Sequence, residues 1–362
     1  MVPGQIDELK DSLEAVNSTV MERIHDRLMD RLMGFLLNGK PLVDRPRLGS
    51  EIHLHAVGHA FSFPYLAGER YQMALRMGGS KVGREVGEHL MEAGLSHDEA
   101  IKRVINFLKY CKVGKVTAGE TIKIEDNCES LYMKLSTLKL EEACCYFTTG
   151  FLNGLFSAVK NQRVSETKCV GLGDPYCEFK LVPGQIDELK DSLEAVDSTI
   201  MEKIHDRLIG RLMGFLLNGK PLVDRPSLGG EIQLHAVGHA FSFPYVAGER
   251  YQMALRMGGS KVGREVGEHL MEAGLSHDEA VQRVIDFLKY CKVGRITADE
   301  TIKIENNCES YWMKLNTLKP EEACCYFTTG FLNGLFSAVK NQHVREIKCI
   351  ATGDPYCEWE IV

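Results

Sequence analysis

Apolar residues at Ile6, Leu9, Leu13, Val16 and Val20 alternate steps of three and four, and the series continues at Ile24, Leu28, Leu32 and Leu36. This is the spacing of a coiled-coil seam, and it predicts a long N-terminal helical segment. Thr19 and Glu22 have the form of a capping box, so a break near Ser18 is expected. Glu51 to Val57 then alternates like a strand. Helical patterns return over Ala67–Met77 and Lys81–Met91, with Gly78-Gly79 as a bend between them. Ser96-His97-Asp98-Glu99 is a second capping box, opening a helix with apolar Ile101, Val104, Ile105 and Leu108, ending at Gly114. Val116–Ile124 predicts two strands turning at Ala118-Gly119, and residues 128–136 are expected to add another. Glu141-Glu142 opens a helix that carries Cys144, Cys145, Phe147, Phe151 and Leu155, with Cys145 one turn in. Val164–Val170 and Tyr176–Leu181 form a hairpin around Gly173-Asp174-Pro175, residues suited to a turn. Segregated helices with a mainly antiparallel sheet make the fold class α+β.

The whole pattern occurs twice. Aligned at a spacing of 180, Val2–Leu181 and Val182–Ile361 differ at 29 of 180 positions, mostly mildly. The chain is therefore read as two near-identical domains, 1–181 and 182–362, each long enough for its own core. No Ser/Gly-rich spacer separates them at Lys180-Leu181-Val182-Pro183-Gly184, so the halves are expected to sit close together. The N-terminal helix packs either on its own domain or against its equivalent in the other copy, as an internal pseudo-dimer.

Composition narrows the partners. The chain is 44% hydrophobic and 26% charged, with a net charge of -7. That balance argues against nucleic acid or an anionic membrane as the main partner. No apolar run is long enough to span a bilayer, and Met1–Glu8 has no signal-peptide character, so a cytoplasmic protein is expected. Twelve cysteines in such a chain point to metal ligands or buried thiols rather than a disulfide framework.

Candidate chemistry gathers at the end of each copy. Cys145, Glu166, Cys169 and Cys177 recur as Cys325, Glu346, Cys349 and Cys357. Three thiols and a carboxylate, brought together by a helix and a hairpin, are the ligand set of a closed zinc site. Cys-x7-Cys alone also suits plain buried cysteines, the reading given to Cys111, Cys128 and Cys144. His53, His55 and His59 form a second cluster. On a helix His55 and His59 share a face, but alternating Ile52 and Leu54 with Gly58 favour a strand and ordinary histidines. His53 is Gln233 in the second copy, so both halves cannot depend on it.

These residues also carry a resemblance. Tyr71, Gly78, Gly83, Gly94 and Gly114, then Cys145-Tyr-Phe-Thr-Thr-Gly150-Phe and Glu166-x-x-Cys169-x7-Cys177-Glu-Phe, resemble the 4-vinyl reductase domain family over about residues 65–181 of each copy. The resemblance implies a compact α+β domain, often dimeric, similar in fold to TRAPP trafficking subunits and haem nitric-oxide-binding domains. In aromatic-sensing transcription regulators with this domain, the matching cysteines and glutamate bind zinc beside an apolar pocket for a phenolic ligand. Carried over by position, zinc falls on Cys145, Glu166, Cys169 and Cys177, and on Cys325, Glu346, Cys349 and Cys357. The His and Trp that hold a phenolic hydroxyl there align with about Tyr110 and Ile124. The pocket is expected near Tyr110, Ile124 and Phe147, and near Tyr290, Ile304 and Phe327, so its guest differs from phenol.

The sequence thus predicts a zinc-containing protein that binds a small hydrophobic molecule as sensor, carrier or accessory. Two alternatives stand beside it. One is a tetrapyrrole-binding protein, a reductase or accessory in tetrapyrrole metabolism, though the chain has no Gly-rich dinucleotide loop. The other is a protein-interaction module working through the N-terminal helices.

Overall fold

A computed structural model describes residues 37–38, 49–54, 57, 70–130, 143 and 145–184 of the first half. In the second half it describes residues 217–218, 229–234, 237, 250–311, 323 and 325–362. The N-terminal seam, His55, His59 and Cys144 lie outside the described residues. In the first half the elements are β1 (Glu51–His53), α1 (Arg70–Glu92), α2 (His97–Tyr110), β2 (Lys115–Ala118), β3 (Thr121–Glu125), α3 (Tyr146–Lys160), β4 (Gln162–Lys168) and β5 (Cys177–Pro183). The second half repeats them as β6 (Glu231–Gln233), α4 (Arg250–Glu272), α5 (His277–Tyr290), β7 (Arg295–Ala298), β8 (Thr301–Glu305), α6 (Tyr326–Lys340), β9 (Val344–Lys348) and β10 (Cys357–Ile361). Each half builds one antiparallel four-stranded sheet, in the orders β2-β3-β5-β4 and β7-β8-β10-β9. The α+β reading holds.

One face of the first sheet is apolar because Val116, Ile122, Ile124 and Phe179 alternate with polar neighbours, and all four are buried. Helix α2 turns Ala100, Val104, Ile105, Phe107 and Leu108 into the same core. Its capping signal works as predicted: the Ser96 hydroxyl accepts from Glu99 N–H. In the second half the box is complete, since Glu279 also returns to the Ser276 N–H.

Several boundaries differ from expectation. The bend at Gly78-Gly79 is absent, and α1 runs unbroken over 23 residues. Its glycines serve packing instead. A Cβ added to Gly79 or Gly83 would overlap the carbonyl oxygens of Phe147 and Phe151 on α3, and one on Gly150 or Gly154 would overlap those of Arg76 and Ser80 on α1. Two backbones meet across small residues, where any side chain would hold them apart. Helix α3 begins at Tyr146 with Cys145 as its N-cap residue, so Cys145 precedes the helix rather than lying one turn inside it. The strand after residue 128 does not form at Cys128–Ser130, which make a turn; residues 131–136 lie outside the described residues. The first strand stops at His53, and Leu54 is already helical. Strand β5 continues to Pro183, two residues past the repeat boundary, because Arg163 and Gln162 pair with Val182 and Pro183.

The halves meet at a two-stranded antiparallel sheet. Ile52 of β1 stands opposite Ile232 of β6, flanked by Glu51 opposite Gln233 and His53 opposite Glu231. Each strand also reaches the far helix end: His53 N–H donates to Cys291 O, and Gln233 N–H to Cys111 O, both at 3.0 Å. His53 is buried, its ring 5.2 Å from that of Tyr290. It packs on the other half rather than on a polar face.

Candidate metal centre

Four separate pieces of backbone deliver the cluster. Cys145 caps α3, Glu166 lies on β4, Cys169 sits where the chain leaves β4 for the short 3₁₀ turn Val170–Leu172, and Cys177 opens β5. Gly173, at φ 96°, permits the return, and Asp174 Oδ2 accepts from Cys169 N–H at 2.9 Å. One ligand atom from each of the four residues lies within 4.8 Å of the others, and Cys325, Glu346, Cys349 and Cys357 repeat the arrangement. The sulfurs of Cys145 and Cys169 are 3.8 Å apart, those of Cys145 and Cys177 3.4 Å. In the second half the separations are 3.8 and 3.5 Å. Tetrahedral zinc with bonds of about 2.3 Å sets its sulfurs about 3.8 Å apart, so the spacing suits a shared ion.

The surroundings also suit a cation. The three thiols of each half are buried. Glu166 Oε2 accepts from the Thr149 hydroxyl at 3.2 Å, whereas its Oε1 is buried without a hydrogen-bond partner; Glu346 Oε1 is placed likewise. An orphaned carboxylate oxygen aimed into a thiol cluster is costly without a positive partner. Burial, then the neighbouring Cys169 sulfur, pushes the Glu166 carboxyl up to about 9. Glu346 rises to about 8, through burial and then the Cys349 sulfur. Burial likewise raises the Cys325 and Cys357 thiols above their ordinary range. Each half can hold one metal ion here, and a bound divalent ion is the charge that reverses this pressure toward the neutral forms.

Residues that spacing did not single out complete the site. Asn127 Nδ2 donates to Cys145 Sγ at 3.3 Å, and Ser130 Oγ lies 3.2 Å from Cys177 Sγ. Between them Glu129 accepts the first free amides of α3, Phe147 N–H at 2.7 Å and Thr148 N–H at 2.9 Å, plus the Thr148 hydroxyl at 2.7 Å. Glu129 thus supplies the capping acceptor that the Cys145 side chain does not. Burial raises its carboxyl to about 7 against those hydrogen bonds, and that of Glu309 to about 6. Asn-Cys-Glu-Ser stands in both copies, but copies so alike single out no residue.

The residues expected to line a pocket lie apart from one another in exposure. Ile124 and Ile304 are fully buried, with Ile124 against Gly114, and Phe147 and Phe327 are partly buried. Tyr110 and Tyr290 are 46% and 50% exposed, at the helix ends beside the inter-half sheet.

Comparison with known proteins places part of this chain. The 4-vinyl reductase domain model matches residues 123–183, which span β3 to the end of β5. Two uncharacterised proteins of Methanocaldococcus jannaschii are similar: one is 29% identical over 105 residues, covering 27% of this chain, and one 38% identical over 63 residues, covering 16%. The chain spans 59% and 25% of the length of these two relatives. Among solved structures, a vinyl-4-reductase family protein of M. jannaschii matches at 17% identity and TM-score 0.29, over 45% of this chain and 96% of that one. The phenol-responsive sensory domain of the transcription activator PoxR, solved with phenol, matches at 17% identity and TM-score 0.27, over 32% of this chain and 66% of that one. Over residues 123–183 the chain therefore carries a 4-vinyl reductase domain, the family that its Glu-x-x-Cys and Cys-x-Phe spacing resembles.

Proposed function

We propose that each half binds one zinc ion, through Cys145, Glu166, Cys169 and Cys177 and through Cys325, Glu346, Cys349 and Cys357. The domain so braced holds a small hydrophobic molecule in a sensing, carrying or accessory role. The observation that carries the metal assignment is the pair of Cys3Glu clusters, each with a buried carboxylate oxygen that no protein group satisfies. Soft sulfur donors with tetrahedral spacing select zinc over magnesium or calcium. When bound, the ion supplies a four-way tie among the start of α3, β4 and β5; the chain's own residues orient the ligands and exclude water. Guest binding rests on the family resemblance, with Ile124, Phe147, Ile304 and Phe327 as pocket wall and Tyr110 and Tyr290 at its rim. Division into 1–181 and 182–362, paired as an internal pseudo-dimer, is supported by the symmetric register about Ile52 and Ile232. A reducing, cytoplasmic setting suits the free thiols.

Elemental analysis of the purified chain tests the metal reading. About two zinc ions per chain are expected, falling to one in Cys169→Ser; two retained would overturn the ligand assignment. Native mass spectrometry of protein taken gently from its own host tests the guest. A recurrent bound mass of apolar character supports it, and repeatedly ligand-free protein counts against it. Visible absorbance in the same sample would instead bring the tetrapyrrole reading forward.

A further inference from the structure

Three hydrogen-bond donors converge on the sulfurs of each cluster. Asn127 Nδ2 points to Cys145 Sγ, while Cys177 Sγ receives Val170 N–H at 3.4 Å and lies 3.2 Å from Ser130 Oγ. The second half repeats all three, with Asn307 on Cys325 at 3.3 Å, Ser310 on Cys357 at 3.1 Å and Ile350 N–H on Cys357 at 3.4 Å. The side-chain donors come from the single turn 127–130, which leaves β3, contributes no metal ligand, and is buried at Asn127 and Ser130. The same turn is stiffened from within, because Asn127 Oδ1 accepts from Glu129 N–H. Glu129 in turn grips the start of α3, the element that presents Cys145.

We infer that the Asn-Cys-Glu-Ser turn, 127–130 and 307–310, is the positioning clip of the metal centre, setting its affinity by donating hydrogen bonds to two of its three thiolates. This rests on the zinc reading above. Three thiolates and a carboxylate bring four negative charges to a dication, leaving a net charge of -2 in a buried site. Such charge is tolerated where donors surround it. Once Cys177 is a thiolate it can only accept, so the Ser130 hydroxyl is the donor. Asn127 has no such choice, since its amide nitrogen always donates. Outer partners of this kind typically change metal affinity by about 10–100-fold when removed.

The test changes one half and keeps the other as an internal reference. Asn127→Ala, Asn127→Asp and Ser130→Ala are made in the full chain, and zinc is titrated out with a chromophoric chelator. The cobalt(II)-loaded proteins are compared through their sulfur-to-cobalt charge-transfer absorption. In each variant one of two zinc ions is expected to bind about 10–100-fold more weakly while the other is unchanged, and half of the cobalt band is expected to shift. Asn127→Asp keeps the side chain's shape and its acceptor for Glu129 N–H but replaces the donor, so its loss is expected to be the larger of the two at this position. Zinc affinity and band equal to the parent in Asn127→Asp and Ser130→Ala would overturn the clip. Should Asn127→Ala fail to fold, the other two carry the test, with circular dichroism confirming their fold. A parent chain that takes up neither zinc nor cobalt would instead overturn the zinc reading itself.

Discussion

Glu166 and Gly83 show how differently single residues matter here. Glu166 is the one ligand whose chemistry is not sulfur, and its buried Oε1 has no protein partner. Glu166→Gln keeps the volume and removes the charge, so zinc content is expected to fall from about two to about one per chain by elemental analysis. Gly83 carries no chemistry, yet a Cβ there would also stand 2.9 Å from Leu155 N, inside normal contact. Gly83→Ala is expected to cost about 1–3 kcal/mol or more in urea unfolding, because the α1 and α3 backbones must separate. Gly119→Ala is the control: nothing lies within 4 Å of its Cβ, and the second copy already has Asp299 at that place. A change within about 0.5 kcal/mol is expected there.

Among the elements, the two copies of the capped helix form a natural experiment. Ser96 holds Glu99 N–H, while Ser276 both holds Glu279 N–H and receives the Glu279 carboxylate on its own backbone. Ser276→Ala is expected to destabilise by about 1 kcal/mol, and Ser96→Ala by less, in denaturant titrations of the two variants. Equal costs would mean that the return bond contributes nothing. Helix α3 obeys another logic, its start satisfied by Glu129 from a distant turn. The sequence suggested Glu141-Glu142 for that start, a local choice that ignored a carboxylate 18 residues from the amide it caps.

Over the whole molecule, two sheets, each tied to its helices at a thiol cluster, are joined through β1 and β6. Structural zinc typically contributes on the order of 10 kcal/mol of apparent stability, comparable to the total for a domain. Removal with a strong chelator is therefore expected to lower the melting temperature sharply or unfold the protein, followed by circular dichroism, with recovery on adding zinc back. An unchanged melting curve after verified metal removal would show that the cores hold alone. Among the described residues no helix is long and apolar enough to cross a membrane.

What was legible in the chain follows from short-range physics. The repeat, the β2–β3 and β4–β5 hairpins, the capped helix and the Cys3Glu grouping all rest on periodicity, turn residues or metal-ligand chemistry that few neighbours can override. Folding alone settled what depends on residues far apart: that Gly79 and Gly83 bring two helices together instead of bending one, and that Glu129 caps α3. It likewise put Asn127 and Ser130 on the sulfurs and buried His53 against Tyr290 of the other half. Each of these is a contact between backbone segments that the sequence leaves unordered in space, and the two copies are too alike for their differences to mark them.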